Sequence, residues 1–194
     1  MGEQEVKRMR SAGKQSVCLS AAQLDEIATC LANNVLPSSP RYYVDLHIQF
    51  FGKVVSKERP RASASGVFYT PKATRDFEKT IADIGRHRLA SENMAVWRCP
   101  IAAHLTVTEN IPQSWGKSQS ALAMRRLIYP QKKDLDNQEK AIFDALNGVV
   151  FADDSQIVQK FSIKVYGSEE GFSLCLTPMG MSMHEAQTAI NIAK

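Results

Sequence analysis

Two pairs of aspartates and one lysine could do chemistry in the segment from residue 134 to residue 154. Asp134 and Asp136 form an Asp-x-Asp pair, Lys140 follows four residues later, and Asp153 and Asp154 come after a further gap. If the first segment is extended, its two carboxylates point to the same side, because side chains alternate along a strand. Two carboxylates on one side are the minimum for holding Mg²⁺ while the ion keeps water molecules and binds phosphate oxygens.

The spacing of Lys140 adds a positive charge to these acids. In a helix, Lys140 lies one turn after Asp136 and on the same face. A turn after that helix would bring a third carboxylate, from Asp153 or Asp154, back to the first pair. Such a set suits phosphodiester hydrolysis, in which a metal activates water and an ammonium stabilises charge at phosphorus or the leaving oxygen.

Ordinary structural roles explain these residues equally well on the local pattern alone. Asp134 and Asp136 would then cap a helix and meet the positive end of its dipole. Lys140 would pair with an acid one turn away, and the later aspartates would be turn residues. The Asp-x-Asp motif is short and common, so it leaves both interpretations open.

Other uses of Asp-x-Asp fit less well. Gln138 stands where a phosphatase motif requires threonine or valine, and Glu139 stands where an EF-hand loop requires glycine. A sugar-nucleotide site of this type belongs to a larger domain than this chain offers.

The charge distribution favours a polyanionic ligand. The 194-residue chain has a net charge of +4, and basic clusters flank the acids at 53–79 and 117–133. Between Asn110 and Ser168, every acid falls within 134–154. We expect phosphate contacts from Lys57, Arg59, Arg61, Lys72, Arg125, Arg126, Lys132 and Lys133.

The bulk properties indicate a cytoplasmic globular protein. The four cysteines form no CxxC pair and have no histidine nearby at zinc spacing, which argues against a disulfide framework or a zinc site. No apolar run is long enough to span a bilayer, and the basic N-terminus lacks the apolar core of a signal peptide.

The chain divides into three parts. Residues 1–40 form an extension with one helix, capped by Ser20, and a linker from Pro37 to Pro40. Residues 41–178 form the main domain, and 179–194 form a weakly helical tail. The segment 109–131 is expected to be a long exposed basic loop or short helix, in which Trp115 either wedges into DNA or packs on the core.

Periodicity predicts an α+β main domain. Alternating residues indicate strands at 42–50, 101–107, 157–165 and 172–176. One helix opens at Pro71, and a second begins at Asp136 or Asn137 and ends near Asn147, closed by Gly148. We therefore expect a small mixed β-sheet with two helices packed on one face, plus the N-terminal helical extension.

The ordered run around the acids resembles the core motif of the RusA family of Holliday-junction resolvases. The matching segments are Lys133-Asp-Leu-Asp-Asn137, Lys140-Ala-Ile-Phe-Asp-Ala-Leu-Asn147 and Phe151-Ala-Asp-Asp-Ser-Gln-Ile157. Gly52 through Arg61 and the segment Ile111-Pro-Gln-Ser-Trp115 look like features of the longer, phage-type members. The likeness covers roughly 41–178.

The resemblance implies a small, dimeric, Mg²⁺-dependent endodeoxyribonuclease, with Mn²⁺ as an alternative ion. It implies that Asp134, Asp136 and Asp154 are metal ligands and that Lys140 is catalytic, with Asp153 in a supporting role. The implied activity is resolution of Holliday junctions and related branched DNA by paired symmetric nicks, in recombination and repair. A homodimer suits this task, because two active sites related by a twofold axis match the symmetry of a four-way junction.

Two other functions remain open on the sequence. A non-catalytic protein that binds branched DNA could keep the same fold, and a nucleotide phosphohydrolase could use the same metal chemistry. The long basic flanks favour an extended polyanion over a mononucleotide.

Overall fold

One four-stranded sheet forms the centre of the computed structural model, which describes residues 21–33, 45–58, 61–62, 68–180 and 183–192. Its strands are β1 (Leu46–Phe51), β4 (Ile101–Asn110), β5 (Ile157–Gly167) and β6 (Gly171–Pro178). They lie in the order β1-β6-β4-β5. Only the β4–β5 pair is parallel, so the sheet is mixed, as the sequence predicts. Two short strands, β2 (Arg61–Ala62) and β3 (Phe68–Tyr69), form a separate antiparallel pair.

Two helices, α2 (Lys72–Ser91) and α4 (Leu135–Leu146), cover one face of this sheet. Each turns an apolar stripe inward, as expected for a helix with one buried face. Their side chains join the strand residues of that face in one core, whose largest fully buried members include Ile81, Ile142 and Leu146. The predicted α+β architecture, with two helices on one face of a mixed sheet, is confirmed.

The parallel pairing of β4 and β5 requires a crossover connection. Helix α3 (Lys117–Met124) and helix α4 both lie within this connection. Helix α3 falls in the segment 109–131, where either a basic loop or a short helix was expected. The crossover brings the N-terminus of α4 close to the edge strand β5, where Glu139 of the helix bonds to Lys160 of the strand.

Helix α4 begins earlier than the sequence pattern predicts. Asp134, rather than Asp136 or Asn137, occupies the N-cap position, and the helix ends at Leu146. Gly148 follows with φ of 70°, the left-handed geometry expected of a glycine that closes a helix. Pro71 likewise stands at the N-cap of α2 instead of its first helical position.

The helix-facing side of β5 is polar, although an alternating strand usually turns its apolar side to the core. Lys160, Ser162 and Lys164 pair in register with Ala103, Leu105 and Val107, the buried face of β4. Phe161, Ile163 and Val165 therefore lie on the other face, where Phe161 is exposed. This arrangement places two lysines and a serine directly beside α4.

Helix α1 (Ala21–Ala32) packs against the C-terminal helix α5 (Met183–Ile192). Ile27 and Ala189 are buried in this contact, and Leu24 packs against them. The predicted cap Ser20, the linker from Pro37 to Pro40, and the first residues of the predicted strand at 42–44 lie outside the described residues.

Two further observations concern membrane-spanning helices and the cysteines. No helix in the described part of the chain is long and apolar enough to cross a membrane. Cys30 and Cys175 are free, whereas Cys99 is disulfide-bonded, a bond that the cysteine spacing did not predict.

The contact between α2 and α4 depends on Gly85. A Cβ atom at this position would lie 2.8 Å from Leu146 Cδ2 and 2.9 Å from Val150 Cγ2, both in the core. We predict that Gly85→Val lowers the free energy of unfolding by about 1–3 kcal/mol, the usual cost of overpacking. Urea denaturation measures this, with Ala73→Val on the exposed side of α2 as the control. Equal destabilisation by the two variants would contradict close packing at Gly85.

Candidate active site

The N-terminus of α4 carries the first two predicted ligands. Asp134 takes an extended backbone conformation at the N-cap, but its side chain makes no capping hydrogen bond. Its Oδ2 instead accepts a hydrogen bond of 3.3 Å from the Asn137 side chain. Asp136 lies in the first helical turn and is exposed. Helix capping therefore accounts for the position of Asp134 but leaves its carboxylate available to another group.

A short 3₁₀ turn (Asp154–Gln156) separates the roles of the two later aspartates. The Asp153 side chain accepts a hydrogen bond of 2.9 Å from the Ser155 backbone, in a capping box with Gln156. Its hydrogen bonding to Ser155 lowers the pKa of Asp153 below its usual value. Asp154, in contrast, is exposed and lines the cleft described below. The geometry gives Asp153 a structural task and leaves Asp154 facing the cleft.

Gln156 anchors this turn to the chain that precedes β4. Its Nε2 donates to the backbone oxygens of Trp97 and Cys99, over 3.1 and 2.8 Å, and its Oε1 accepts from the Asp153 backbone at 2.9 Å. The three bonds fix the path of the chain immediately around Asp154. Gln156 is thus a positioning residue for that carboxylate.

Helix α4, the 3₁₀ turn and β5 together enclose a cleft of about 370 Å³. Asp136, Lys140 and Asp154 all contribute to its wall, so two predicted ligands and the predicted catalytic lysine meet there. The remaining lining residues are Glu139, Phe143, Asp144, Ile157 and Lys160. Asp134 is not part of the wall but precedes Asp136 by two residues at the same helix end.

The carboxylates at the N-terminus of α4 and in the 3₁₀ turn fit a hard divalent cation. Asp134, Asp136 and Asp154 offer only carboxylate oxygens, all three are exposed, and oxygen ligands are what Mg²⁺ and Mn²⁺ prefer. Their oxygens do not form a set within 4.8 Å of one another. An open, partly preformed set of this kind suits an ion that keeps several water molecules and also binds substrate phosphate.

Two cleft residues were not predicted from the sequence. The buried carboxylate of Glu139 accepts hydrogen bonds from Lys160 and Ser162 on β5. Glu139 thereby holds Lys160 at the wall opposite the helix. The sequence signal for these contacts is the alternation of two lysines and a serine along β5. This pattern is also typical of the solvent-facing side of a strand, so it indicates contact with α4 only when the strand register is known.

Lys57, a predicted DNA contact, lies in a network of ion pairs. Its Nζ is 2.5 Å from Glu78 and 2.8 Å from Asp144, and its backbone nitrogen donates to Asn137 at 2.7 Å. Burial alone would lower the pKa of Lys57, but hydrogen bonds to Asp144 and Glu78 outweigh it and raise the pKa. Lys57 therefore ties the chain after β1 to both helices, and Asp144 pairs with it across the fold.

The other predicted phosphate contacts differ in whether their charges are already paired with a carboxylate. Lys133 Nζ lies 3.2 Å from Glu170 and 3.5 Å from Glu109, so its charge is already compensated. Arg59 and the side chain of Arg61 lie outside the described residues. The predicted contacts with exposed side chains are Lys72, Arg125, Arg126 and Lys132.

Arg126 has a backbone conformation that arginine seldom adopts. Its φ is 58°, and hydrogen bonds from Arg126 to Ala123 and from Leu127 to Leu122 close the end of α3. Glycine is the usual residue at such a helix end, because a side chain costs about 1–2 kcal/mol in left-handed geometry.

Trp115 packs edge-on against Tyr166, with 5.1 Å between the ring centroids, which favours the packing role over a wedge into DNA.

Comparisons with known proteins agree with the motif. A family model described as "Endodeoxyribonuclease RusA" matches residues 52–174, well over half of the chain. An uncharacterized protein of Bacillus subtilis (strain 168), YqaN, is 29% identical over 126 residues, which cover 61% of this chain and 86% of that protein. The family match spans all the cleft residues.

Loss of the Gln156 amide tests how the turn is anchored. We predict that Gln156→Ala lowers the free energy of unfolding by about 2 kcal/mol, because each of its three hydrogen bonds contributes about 0.5–1.5 kcal/mol. Thermal or urea unfolding provides the measurement. Gln159→Ala, at an exposed position three residues later, serves as the matched control. Indistinguishable stabilities of the two variants would show that Gln156 does not anchor the turn.

Proposed function

Because the chain belongs to the RusA family of endodeoxyribonucleases, we propose that it resolves Holliday junctions and related branched DNA. The proposed reaction is hydrolysis of phosphodiester bonds by paired symmetric nicks, dependent on Mg²⁺, with Mn²⁺ as an alternative ion. The proposed setting is DNA recombination and repair in the cytoplasm. The observation that carries the proposal is the cleft in which Asp136, Lys140 and Asp154 meet.

The residues around the cleft have distinct tasks in this reaction. Asp134, Asp136 and Asp154 would hold the divalent cation, whose chemistry is to acidify a bound water and neutralise charge on phosphate oxygens. Lys140, exposed and one turn after Asp136, directs its ammonium toward charge that develops on the phosphate. Asp153 supports the turn that carries Asp154.

The free cations suggest where the DNA backbone lies. Lys132 precedes the N-terminus of α4, while Arg125 and Arg126 end helix α3 and are exposed. Phosphate contacts by such side chains fix the orientation of the duplex without reading its sequence. The paired Lys57 and Lys133 would contribute less, because each already faces two carboxylates.

Paired nicking also requires two active sites. The described residues of the chain form one cleft of this composition, so we propose a homodimer with a twofold axis that matches the junction. Sedimentation or light scattering of the full chain gives the mass of the particle and checks this part of the proposal.

The central test compares cutting with binding. We predict that the protein nicks a synthetic four-way junction only with Mg²⁺ or Mn²⁺. Asp136→Asn should still bind the junction but cut it more slowly, by more than the roughly 10–100-fold that loss of an outer-shell partner costs. Asp76→Asn, which changes an exposed aspartate on α2, is the matched control and should cut normally. Cutting in excess chelator would contradict the mechanism, and Mg²⁺-independent binding without product would favour a non-catalytic junction-binding protein.

Arg126 allows a charge to be removed without cost to the fold. We predict that Arg126→Gly keeps or raises the unfolding temperature, because glycine adopts φ of 58° without strain. Its junction binding should weaken, and the slope of log affinity against log salt should fall by about 0.9 for one lost phosphate contact. Arg86→Gln, which removes an exposed charge paired with Asp83, is the control. An unchanged slope would exclude Arg126 from the DNA contacts.

A further inference from the structure

A second group of potential metal ligands lies on the sheet face opposite α2 and α4. His47 of β1 and Cys175 of β6 pair directly across the two strands. Their neighbours Leu46, Ile48, Leu174 and Leu176 point into the helix-covered core, so the His47 and Cys175 side chains project from the other face. Asp45, two residues before His47, projects on the same side and receives a hydrogen bond from Thr177 of β6.

The three side chains are close enough to share one ion. Cys175 Sγ lies 3.9 Å from His47 Nε2, and the ligand atoms of Asp45, His47 and Cys175 all fall within 4.8 Å of one another. Around tetrahedral zinc, with bonds of about 2.3 Å to sulfur and 2.0–2.1 Å to nitrogen, such atoms stand roughly 3.5 Å apart. Small side-chain rotations would close the remaining difference.

We propose that Asp45, His47 and Cys175 form a binding site for a thiophilic divalent cation of the zinc class. The thiol, imidazole and carboxylate supply one sulfur, one nitrogen and one oxygen, a set that zinc accepts and that magnesium, which requires oxygen ligands, does not. Asp45 and His47 are exposed, so the site is open to solvent and an exogenous ligand such as water fills the fourth position.

A neighbouring residue on β6 orients one of the three ligands. The hydrogen bond of 2.7 Å from Thr177 Oγ1 holds the Asp45 carboxylate in place, as outer-shell partners do in metal sites.

The site would act as a staple between strands. Asp45 immediately precedes β1, which lies at the edge of the sheet and, within the described residues, pairs only with β6. An ion bound by Asp45, His47 and Cys175 joins the start of β1 to β6 independently of the backbone ladder. Such a site is structural and lies on the opposite face from the acidic cleft, so it does not depend on the proposed nuclease function.

Co²⁺ is the probe that tests this directly, because a cobalt–thiolate bond gives a charge-transfer absorption that oxygen ligands do not. We expect the full chain to develop this band with one equivalent of Co²⁺ and to lose it when Zn²⁺ is added. Cys175→Ser and His47→Gln should each abolish or severely weaken the band, with circular dichroism confirming that both variants are folded. Zn²⁺ should also raise the unfolding temperature of the parent chain but not of these variants.

Two neighbours provide matched controls. His104 flanks Cys175 on the other side, in the same row of the sheet, but its ring packs against Phe161. Cys30 is a second free cysteine, on α1. We expect His104→Gln and Cys30→Ser to keep the band, as should Asp136→Asn in the cleft.

Three outcomes would overturn the proposal. The first is no thiolate band with the folded parent chain, and the second is a band that persists in Cys175→Ser. The third is equal loss of the band in His47→Gln and His104→Gln. Equal loss would show that a substitution anywhere in this part of the sheet, and not the loss of a metal ligand, removes the band. None of these results bears on junction cutting, so failure here and failure of the nuclease proposal are distinguishable.

Discussion

The position of helix α4 is the constraint on which the cleft depends. The apolar stripe of α4 packs in the same core as α2, and Gly85 permits the two helices to approach closely. From the side, Lys57 fixes α4 twice, through a backbone bond to Asn137 and an ion pair with Asp144. From the edge of the sheet, Lys160 and Ser162 bind the buried Glu139. The helix end that carries Asp134 and Asp136 is therefore fixed before any ion or DNA arrives.

The same contacts determine which charges at the cleft are already paired. The cleft wall contains both carboxylates and ammonium groups, and two of its carboxylates are already paired: Asp144 with Lys57, and Glu139 with Lys160. Lys140, Asp136 and Asp154 are exposed in the same wall. Preorganised but uncompensated groups of this kind are what electrostatic catalysis requires, because they need not reorganise when charge develops. The structural ion pairs thus engage Asp144 and Glu139 and leave the three candidate functional charges unneutralised.

The sequence predicted the parts of the fold whose signals are local. Alternation located the four strands, and capping residues located the start of α2 to within one residue and the start of α4 to within two or three. The family resemblance assigns Asp153 and Asp154 different roles, and in the structure the capping box occupies only Asp153. What the sequence did not predict depends on strand register and on partners distant in the chain. Contacts between elements determine the inward orientation of the β5 lysines, the pairing of Lys57 and the extended N-cap conformation of Asp134. The spacing of residues in the sequence does not show which elements are in contact.

The Asp45–His47–Cys175 group is the clearest case in which residue spacing does not reveal partners that are distant in the chain. Judged by spacing, the scattered cysteines argue against a zinc site, because zinc ligands are usually sought in close pairs. Antiparallel pairing of β1 with β6 places His47 opposite Cys175, although 128 positions separate them in the chain. The sheet then divides two ligand chemistries between its faces. Oxygen donors stand at the helix-covered face, where Mg²⁺ suits them, and a mixed sulfur, nitrogen and oxygen set stands on the other. Mg²⁺ disfavours sulfur and nitrogen donors, so the proposed zinc-class site would not compete with the proposed nuclease site for Mg²⁺.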